Sequence, residues 1–127
     1  MKVKDVMVKN VVKIKSDVSI LEAIKKMHHK GTTSLFVKEK GAKEYGIVTR
    51  KDIIHQVIAH NKDPKRIRVS DIMSMPLIAI SRDLTIENVA MLMAKTNIRR
   101  FPVMNGDKLV GLISNSDILR ASISKLK

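Results

Sequence analysis

The stretch GIVTRKD at residues 46–52 returns later in the chain as GLISNSD at residues 111–117. Both stretches contain a glycine, two aliphatic residues, a hydroxyl residue, two variable positions and an aspartate, in that order. Two further aliphatic residues follow each copy, at 53–54 and at 118–119. The chain therefore carries one short motif twice, and the spacing between the copies decides how the rest of the sequence is interpreted.

The repeat extends far beyond the motif. A shift of 66 residues places Asp5 on Asp71 and Met27 on Met93 without a gap, and a one-residue deletion in the loop KEKGAKEY then brings Gly46 onto Gly111. The same shift places Gly31 on Asn97. These are the two residue types that most readily adopt the left-handed conformation that ends a helix. The chain is therefore a tandem repeat.

Each copy shows the same order of secondary structure. Hydrophobic periodicity and capping signals predict a strand, a helix capped by Ser19 or Thr85, two more strands, and a closing helix after the motif. The predicted strands cover residues 11–14, 35–37 and 45–49 in the first copy, and 77–80, 101–103 and 109–114 in the second. The prediction is repeat 1 at residues 1–60, a charged linker at 61–68 and repeat 2 at 69–127.

The predicted fold class is α/β, of the α+β type, built from two β-α-β-β-α repeats. A unit of about 60 residues with one thin sheet is marginally stable by itself. We therefore expect the two repeats to pack through their sheets with pseudo-two-fold symmetry, as one globular module.

Composition limits the classes of function. The chain has no cysteine, which excludes a disulfide framework and a thiolate metal site. The N-terminus lacks the apolar run of a signal peptide and no stretch is long enough to span a bilayer, so we expect a cytoplasmic protein without a membrane partner. The formal net charge of +13 fits nucleic acid, anionic ligands or a solvated basic surface, and does not choose between them.

The repeated motif has a structural role that needs no ligand. A hydroxyl residue followed three positions later by an acid, as in Thr49 and Asp52 or Ser114 and Asp117, is typical of a helix start. This interpretation leaves the glycine of the motif unexplained. A helix start also suits a phosphate, an acid there can accept hydrogen bonds from a ribose diol, and nearby basic residues can neutralise phosphate. Those basic residues are Arg50 and Lys51 in the first copy, and Arg99 and Arg100 in the second.

Together these features resemble a pair of CBS domains, the regulatory module named after cystathionine β-synthase. The resemblance covers nearly the whole chain and rests on the D-[VI]-M openings at Asp5 and Asp71, the run IRRFPV at residues 98–103, and the motif in both copies. It implies a stand-alone sensor that binds AMP, ADP, ATP or S-adenosylmethionine in clefts between the repeats and signals to an unknown regulated protein. It also implies a homodimer formed through helices.

The family's ligand contacts are carried over by position. The resemblance implies that Asp52 and Asp117 hold the ribose, and that Thr49 and Ser114 lie near ribose or phosphate. The segment before the second strand would line the adenine pocket: Thr33, Ser34 and Leu35 in repeat 1, and Arg99, Arg100, Phe101 and Pro102 in repeat 2. The stretch entering the first strand would add contacts from Asn10, Val11, Pro76 and Leu77. The two copies differ at several of these positions, and we expect the Asp117 cleft to be the better site because IRRFP matches the family more closely.

Two alternatives remain. An enzyme is disfavoured because none of the common nucleophile, phosphate-loop or zinc-protease motifs is present. The spacing of the histidine pairs, His28 with His29 and His55 with His60, does not suit a shared helical metal site. A nucleic-acid-binding protein with salt-sensitive duplex binding is the stronger rival, through the linker cluster Lys62, Lys65, Arg66 and Arg68 and the N-terminal lysines. Two phenylalanines and one tyrosine leave few platforms for stacking single strands.

Overall fold

The computed structural model of the chain describes residues 1–38, 45–74 and 78–126. The helices are α1 (Val3–Val6), α2 (Ile20–Lys30), α3 (Arg50–Ile53, continued by a π-helical stretch Ile54–Ile58), α4 (Val69–Ile72), α5 (Ile86–Thr96) and α6 (Asn115–Leu126). The strands are β1 (Lys13–Ile14), β2 (Ser34–Val37), β3 (Gly46–Thr49), β4 (Ile80–Ser81), β5 (Arg100–Asn105) and β6 (Lys108–Ser114).

The chain forms two compact units. One spans Val12–Leu77 and is called the Asp52 unit; the other combines Met1–Val11 with Ile78–Lys127 and is called the Asp117 unit. Each contains one three-stranded sheet, in the order β1-β2-β3 or β4-β5-β6, with a parallel first pair and an antiparallel second pair. The predicted α+β class with two β-α-β-β-α repeats is confirmed.

The long helix of each unit begins and ends as its sequence predicts. The Ser19 hydroxyl accepts the backbone N–H of Glu22 at 3.2 Å, and the Thr85 hydroxyl accepts that of Asn88 at 3.2 Å. Gly31 ends α2 with φ +64°, and Asn97 ends α5 with φ +57°. Since these caps satisfy backbone groups that have no partner inside the helix, they fix where both helices start and stop.

The first strand of each sheet is shorter than predicted. Strand β1 covers only two residues, because the Val11 N–H donates to the Lys9 carbonyl at 2.9 Å in a local turn. Its counterpart β4 lies at Ile80–Ser81, later than the predicted range 77–80, of which Leu77 lies outside the described residues. The second and third strands lie close to their predicted ranges.

Two short helices at the start of the repeats were not predicted. In α1 the Asp5 carboxylate accepts the Lys2 backbone N–H at 2.8 Å, and in α4 the Asp71 carboxylate accepts that of Arg68 at 2.8 Å. An acid at the third helical position stabilises even so short a helix by capping its first N–H groups. The aspartate of each D-[VI]-M opening therefore caps the start of a short helix, and the methionine follows the last residue of that helix.

The segments after these short helices explain why the compact units do not follow the repeats. Val8 exchanges two backbone hydrogen bonds with Leu112 in β6, at 2.8 and 2.9 Å. Ser74 does the same with Ile47 in β3, at 2.9 and 3.1 Å. The opening segment of each repeat thus adds a bridge to the last strand of the other repeat's sheet, so each unit contains parts of both repeats.

Each unit has its own apolar core. In the Asp52 unit the inner faces of α2 and α3 pack on the sheet through a set of buried residues that includes Ile20, Ala23, Leu35, Val48 and Val57. In the Asp117 unit the core includes Val3, Val89, Phe101, Val103 and Ile113. These cores hold the strand ends and helix starts that carry the repeated motif.

Candidate functional site

In both units the repeated motif forms the turn between the last strand and the closing helix. In the Asp52 unit the Asp52 Oδ2 accepts the Thr49 backbone N–H at 3.0 Å and the Thr49 hydroxyl at 2.8 Å, while Thr49 Oγ1 accepts the Asp52 N–H at 3.2 Å. In the Asp117 unit the corresponding distances to Ser114 are 2.8, 3.0 and 3.4 Å. The helix-start role predicted from the sequence is confirmed in both copies.

The two carboxylates differ in their second oxygen. Asp117 is buried, with 4% of its surface exposed, and its Oδ1 forms an ion pair with the Arg120 guanidinium. Asp52 is half-buried, and within the described residues its Oδ1 accepts no hydrogen bond and has no ion-pair partner. One motif therefore presents a free carboxylate oxygen and the other a neutralised one.

The sheet brings the segment before the second strand to the motif. The Thr33 carbonyl accepts the Arg50 N–H at 2.9 Å, and the Arg99 carbonyl accepts the Asn115 N–H at 2.9 Å. In the next register position Ser34 pairs with Thr49. Arg100 pairs with Ser114 in the same way. These predicted site residues are therefore neighbours of the motif in their own unit, because antiparallel pairing places the start of one strand beside the end of the next.

The next residues along these strands belong to the cores. Leu35 and Phe101 are fully buried, and Pro102 is buried beside Phe101. Leu35 is part of the apolar core of the Asp52 unit, and Phe101 is part of that of the Asp117 unit. The Leu35 and Phe101 side chains therefore fill the interior of their own units.

A cleft of about 450 Å³ opens beside the motif in the Asp52 unit. Two predicted site residues, Thr33 and Arg50, lie in its wall. The remaining wall is mostly apolar and consists of Thr32 in the loop before β2 and side chains of α2, α3 and the π-helical stretch: Ile24, Met27, His28, Ile53, Ile54 and Ile58. An apolar wall with a few polar groups is the usual composition of a small-molecule site.

The remaining predicted site residues fall into three groups. Asn10 and Val11 belong to the Asp117 unit, although the sequence placed them with repeat 1. Lys51 is exposed on the first turn of α3. Pro76 and Leu77 lie outside the described residues.

The glycine of the motif has a packing role that the sequence did not reveal. A Cβ atom at Gly111 would lie 2.6 Å from the Met7 Sδ and 2.9 Å from the Val8 carbonyl oxygen. The opening segment of repeat 1 crosses β6 at this point, so only a residue without a side chain fits. The glycine therefore permits the bridge that joins Val8 to Leu112.

Arg120 was also missed as a site residue. An arginine three positions after an aspartate on a helix is a recognisable spacing for an ion pair, and this signal was present in the sequence. The equivalent residue in the first copy is His55, which is exposed. Because of this one difference, the Asp117 carboxylate has an arginine partner and, within the described residues, the Asp52 carboxylate has none.

The described ranges contain no group of three or more His, Cys, Asp or Glu side chains that could hold a metal ion. In the same ranges, no helix combines the length and the hydropathy needed to cross a bilayer.

The fold and the paired motif define a class of protein: a tandem α+β repeat with one capped strand-to-helix turn in each unit. The family model for the CBS domain matches residues 3–59 and 69–124, so the chain belongs to the CBS-domain family. Members of this family are generally regulatory and bind ligands.

Similar proteins of known sequence or structure agree with this assignment. A hexameric CBS-CP12 protein from bloom-forming cyanobacteria is 40% identical, with a TM-score of 0.88 over the whole of this chain and 75% of that one. An uncharacterized conserved protein from Pyrococcus horikoshii is 30% identical, with a TM-score of 0.78 over 95% of this chain and 91% of that one.

Curated relatives vary in length. The CBS domain-containing protein YhcV of Bacillus subtilis is 30% identical over 91% of this chain and 81% of its own length. An uncharacterized protein of Methanopyrus kandleri is 31% identical over 79% of this chain, but the match spans only 52% of that protein. The chain thus corresponds to about half of that relative and to most of YhcV.

Proposed function

We propose that this protein is a regulatory module that binds an adenosine-containing ligand, such as AMP, ADP, ATP or S-adenosylmethionine, at the repeated motif. The observation that carries the proposal is the shared geometry of the two turns. In each unit a carboxylate is fixed by the backbone and hydroxyl of the residue three positions earlier, beside the segment that enters the second strand.

This arrangement suits a nucleoside. A carboxylate whose position is fixed by its own turn accepts hydrogen bonds from vicinal ribose hydroxyls without losing side-chain entropy on binding. Arg50 and Lys51 in one unit, and Arg99 and Arg100 in the other, are placed near the turn and carry the charge that a phosphate requires. The cleft beside Arg50 offers the apolar surface that a purine base prefers.

The proposed mechanism is regulatory rather than catalytic. A ligand that binds one conformation of the module more tightly than another shifts the population toward it, by as much as its difference in affinity allows. The signal then passes to a regulated protein that recognises that conformation. The hydroxyls of Thr49 and Ser114 donate to the motif carboxylates and cap the closing helices, which is a structural role that needs no reaction.

We propose further that the protein self-associates, as a homodimer, through the closing helices. Ile54 and Leu119 occupy equivalent positions in the two repeats and are 48% and 63% exposed, and the next turn exposes Ile58 and Ile123. Ile54 and Ile58 also line the cleft described above, whereas Leu119 and Ile123 do not, so the exposed apolar face of α6 is the part of this surface that indicates a protein partner. The CBS-CP12 structure from cyanobacteria is hexameric, which supports oligomer formation in this family.

Isothermal titration calorimetry with AMP, ATP and S-adenosylmethionine, at near-physiological salt, tests ligand binding. The variant Asp52→Asn/Asp117→Asn removes both motif carboxylates, and Asp5→Asn/Asp71→Asn is the matched control, because those two aspartates cap helices outside the motif. Saturable binding that only the first variant abolishes supports the proposal. Heat equal to that of inorganic phosphate for all three ligands contradicts it.

A second candidate function, binding of duplex nucleic acid, is favoured by one groove in the Asp52 unit. This groove, of about 430 Å³, is lined by Lys15, Lys25, Lys26 and His29 together with Ile14, Val18 and Glu22. None of its three lysines forms an ion pair in the described part of the chain. The equivalent positions in repeat 2 carry Ser81, Met91 and Leu92, so the fold does not require these charges.

Gel mobility shift of a duplex DNA over a salt series tests this second function. Replacing the three groove lysines with glutamine should weaken binding and flatten its dependence on salt, because each lost phosphate contact releases one fewer counterion. The control replaces Lys9, Lys95 and Lys108, three exposed lysines of the Asp117 unit, and removes the same charge. Equal loss in both variants would indicate attraction by net charge and refute a site at the groove.

A further inference from the structure

We propose that Arg120 acts as an internal competitor for ligand at Asp117, so that the two motifs are unequal and the Asp52 motif binds first. The inference rests on the proposed function, because it concerns which of the two carboxylates a nucleoside reaches. It also reverses the expectation from sequence, which ranked the Asp117 motif higher.

The competition takes place at a single atom. In both motifs the Oδ2 oxygen is used by the turn itself, accepting the backbone N–H and the hydroxyl of the residue three positions earlier. A diol held by one carboxylate therefore depends on the Oδ1 oxygen. At Asp117 this oxygen already accepts the Arg120 Nη2 in a charge-assisted hydrogen bond, whereas at Asp52 it is open within the described residues.

Burial increases the difference between the two carboxylates in what a ligand must displace. Asp117 is almost fully buried, so an ion pair is the natural partner for its charge when no ligand is present. Asp52 is half-buried and retains contact with solvent. A ligand at Asp117 must replace an existing interaction, and a ligand at Asp52 must displace only water.

The residue after the motif accounts for the missing competitor at Asp52. The residue equivalent to Arg120 is His55. Ile53 and Ile54 keep α-helical dihedral angles, so His55 takes the same i+3 position, but its shorter side chain forms no hydrogen bond or ion pair with Asp52 within the described residues. In the Asp117 unit α6 is α-helical from Asn115, and Arg120 reaches its partner.

The Arg120 side chain can leave Asp117 when a ligand binds there. Its side chain is 69% exposed, so on leaving Asp117 it returns to solvent without moving a packed group. The exposed arginine makes the competition weak, of the size of a partly screened helical ion pair. We therefore expect its removal to strengthen binding at the Asp117 motif by about 2- to 5-fold rather than to create a new site.

Calorimetric titration of AMP into single-motif variants tests the inference. In wild type the tighter site should be lost in Asp52→Asn and kept in Asp117→Asn. In the Asp52→Asn background, Arg120→Gln should tighten the remaining site by about 2- to 5-fold, and Arg120→Lys should return most of the wild-type affinity because it restores a cation at the same place.

Different failures have different meanings. Loss of the tighter site in Asp117→Asn, with Asp52→Asn unchanged, overturns the proposed order while leaving the adenosine-sensor function intact. Unchanged affinity in Asp52→Asn/Arg120→Gln overturns the competition. Absence of binding of AMP, ATP and S-adenosylmethionine in every variant, including Arg120→Gln, overturns the proposed function itself. Thermal melting of each variant by circular dichroism identifies any that fail to fold. If Asp52→Asn is among them, Arg120→Gln alone should tighten only the weaker of the two wild-type sites, and unchanged affinity at that site overturns the competition.

Discussion

Replacing Gly111 with alanine tests whether the glycine of the motif exists to let the opening segment of repeat 1 cross β6. The new Cβ would lie 2.6 Å from the Met7 Sδ and 2.9 Å from the Val8 carbonyl oxygen. The Met7 side chain is flexible and can move. The Val8 carbonyl cannot move freely, because it accepts the Leu112 N–H at 2.9 Å.

The size of the effect follows from two opposing contributions. Forcing a methyl group into such a space typically costs about 1 to 3 kcal/mol. Replacing glycine reduces the entropy of the unfolded chain and returns about 0.4 to 1 kcal/mol. The net loss should be about 1 to 2 kcal/mol, which corresponds to a fall in Tm of about 4 to 8 °C for a chain of this length.

Differential scanning calorimetry of Gly111→Ala, Met7→Ala and Met7→Ala/Gly111→Ala separates the clash with the Met7 side chain from the clash with the Val8 carbonyl. If the carbonyl is the main one, the double variant will remain less stable than Met7→Ala alone. A Tm for Gly111→Ala equal to or above that of wild type would refute the packing argument. A Tm of the double variant equal to that of Met7→Ala would assign the clash to the Met7 side chain alone.

Further predictions concern the caps and the exposed faces. Asp117→Ala should lower the free energy of unfolding by about 2 kcal/mol and Asp52→Ala by less, because only Asp117 is buried and ion-paired. Urea titration of both variants at neutral pH measures the two losses, and equal losses would contradict this prediction. Gly31→Ala should cost about 1 kcal/mol because its φ is +64°, although a Cβ there meets no atom within 4 Å, and an unchanged Tm would argue against this. Leu119→Lys with Ile54→Lys should reduce the molar mass in light scattering without lowering Tm; an unchanged mass would exclude these faces as the interface.

The local elements and the motif could be predicted because their causes are local. Ser19 and Thr85 begin helices by bonding a backbone N–H three residues away, and Gly31 and Asn97 end them by adopting a left-handed conformation. The turn at Thr49 and Asp52 closes in the same short range. The 66-residue repeat predicted the fold class, because a chain that contains the same thin sheet twice has few ways to bury both sheets.

The features that sequence could not supply depend on groups that are distant along the chain or on elements too short to show a periodic pattern. The glycine at 111 is explained by Met7 and Val8, more than 100 positions earlier, and no local pattern relates them. The short helices at Asp5 and Asp71 were missed because four residues give too little periodicity to detect.

By itself, the sequence determined that the protein is a two-fold repeat of capped helices and short strands with one acidic turn in each copy, because each of these features is fixed by residues within a few positions of one another. Only the tertiary structure decided that each opening segment joins the sheet of the other repeat, and that Asp117 is buried with Arg120 on its second oxygen while Asp52 stays half-buried with that oxygen open within the described residues. The reason is physical. Strand pairing, burial and the direction of a helical side chain depend on where the backbone lies in space, and residue spacing constrains that only within a helical turn or a hairpin.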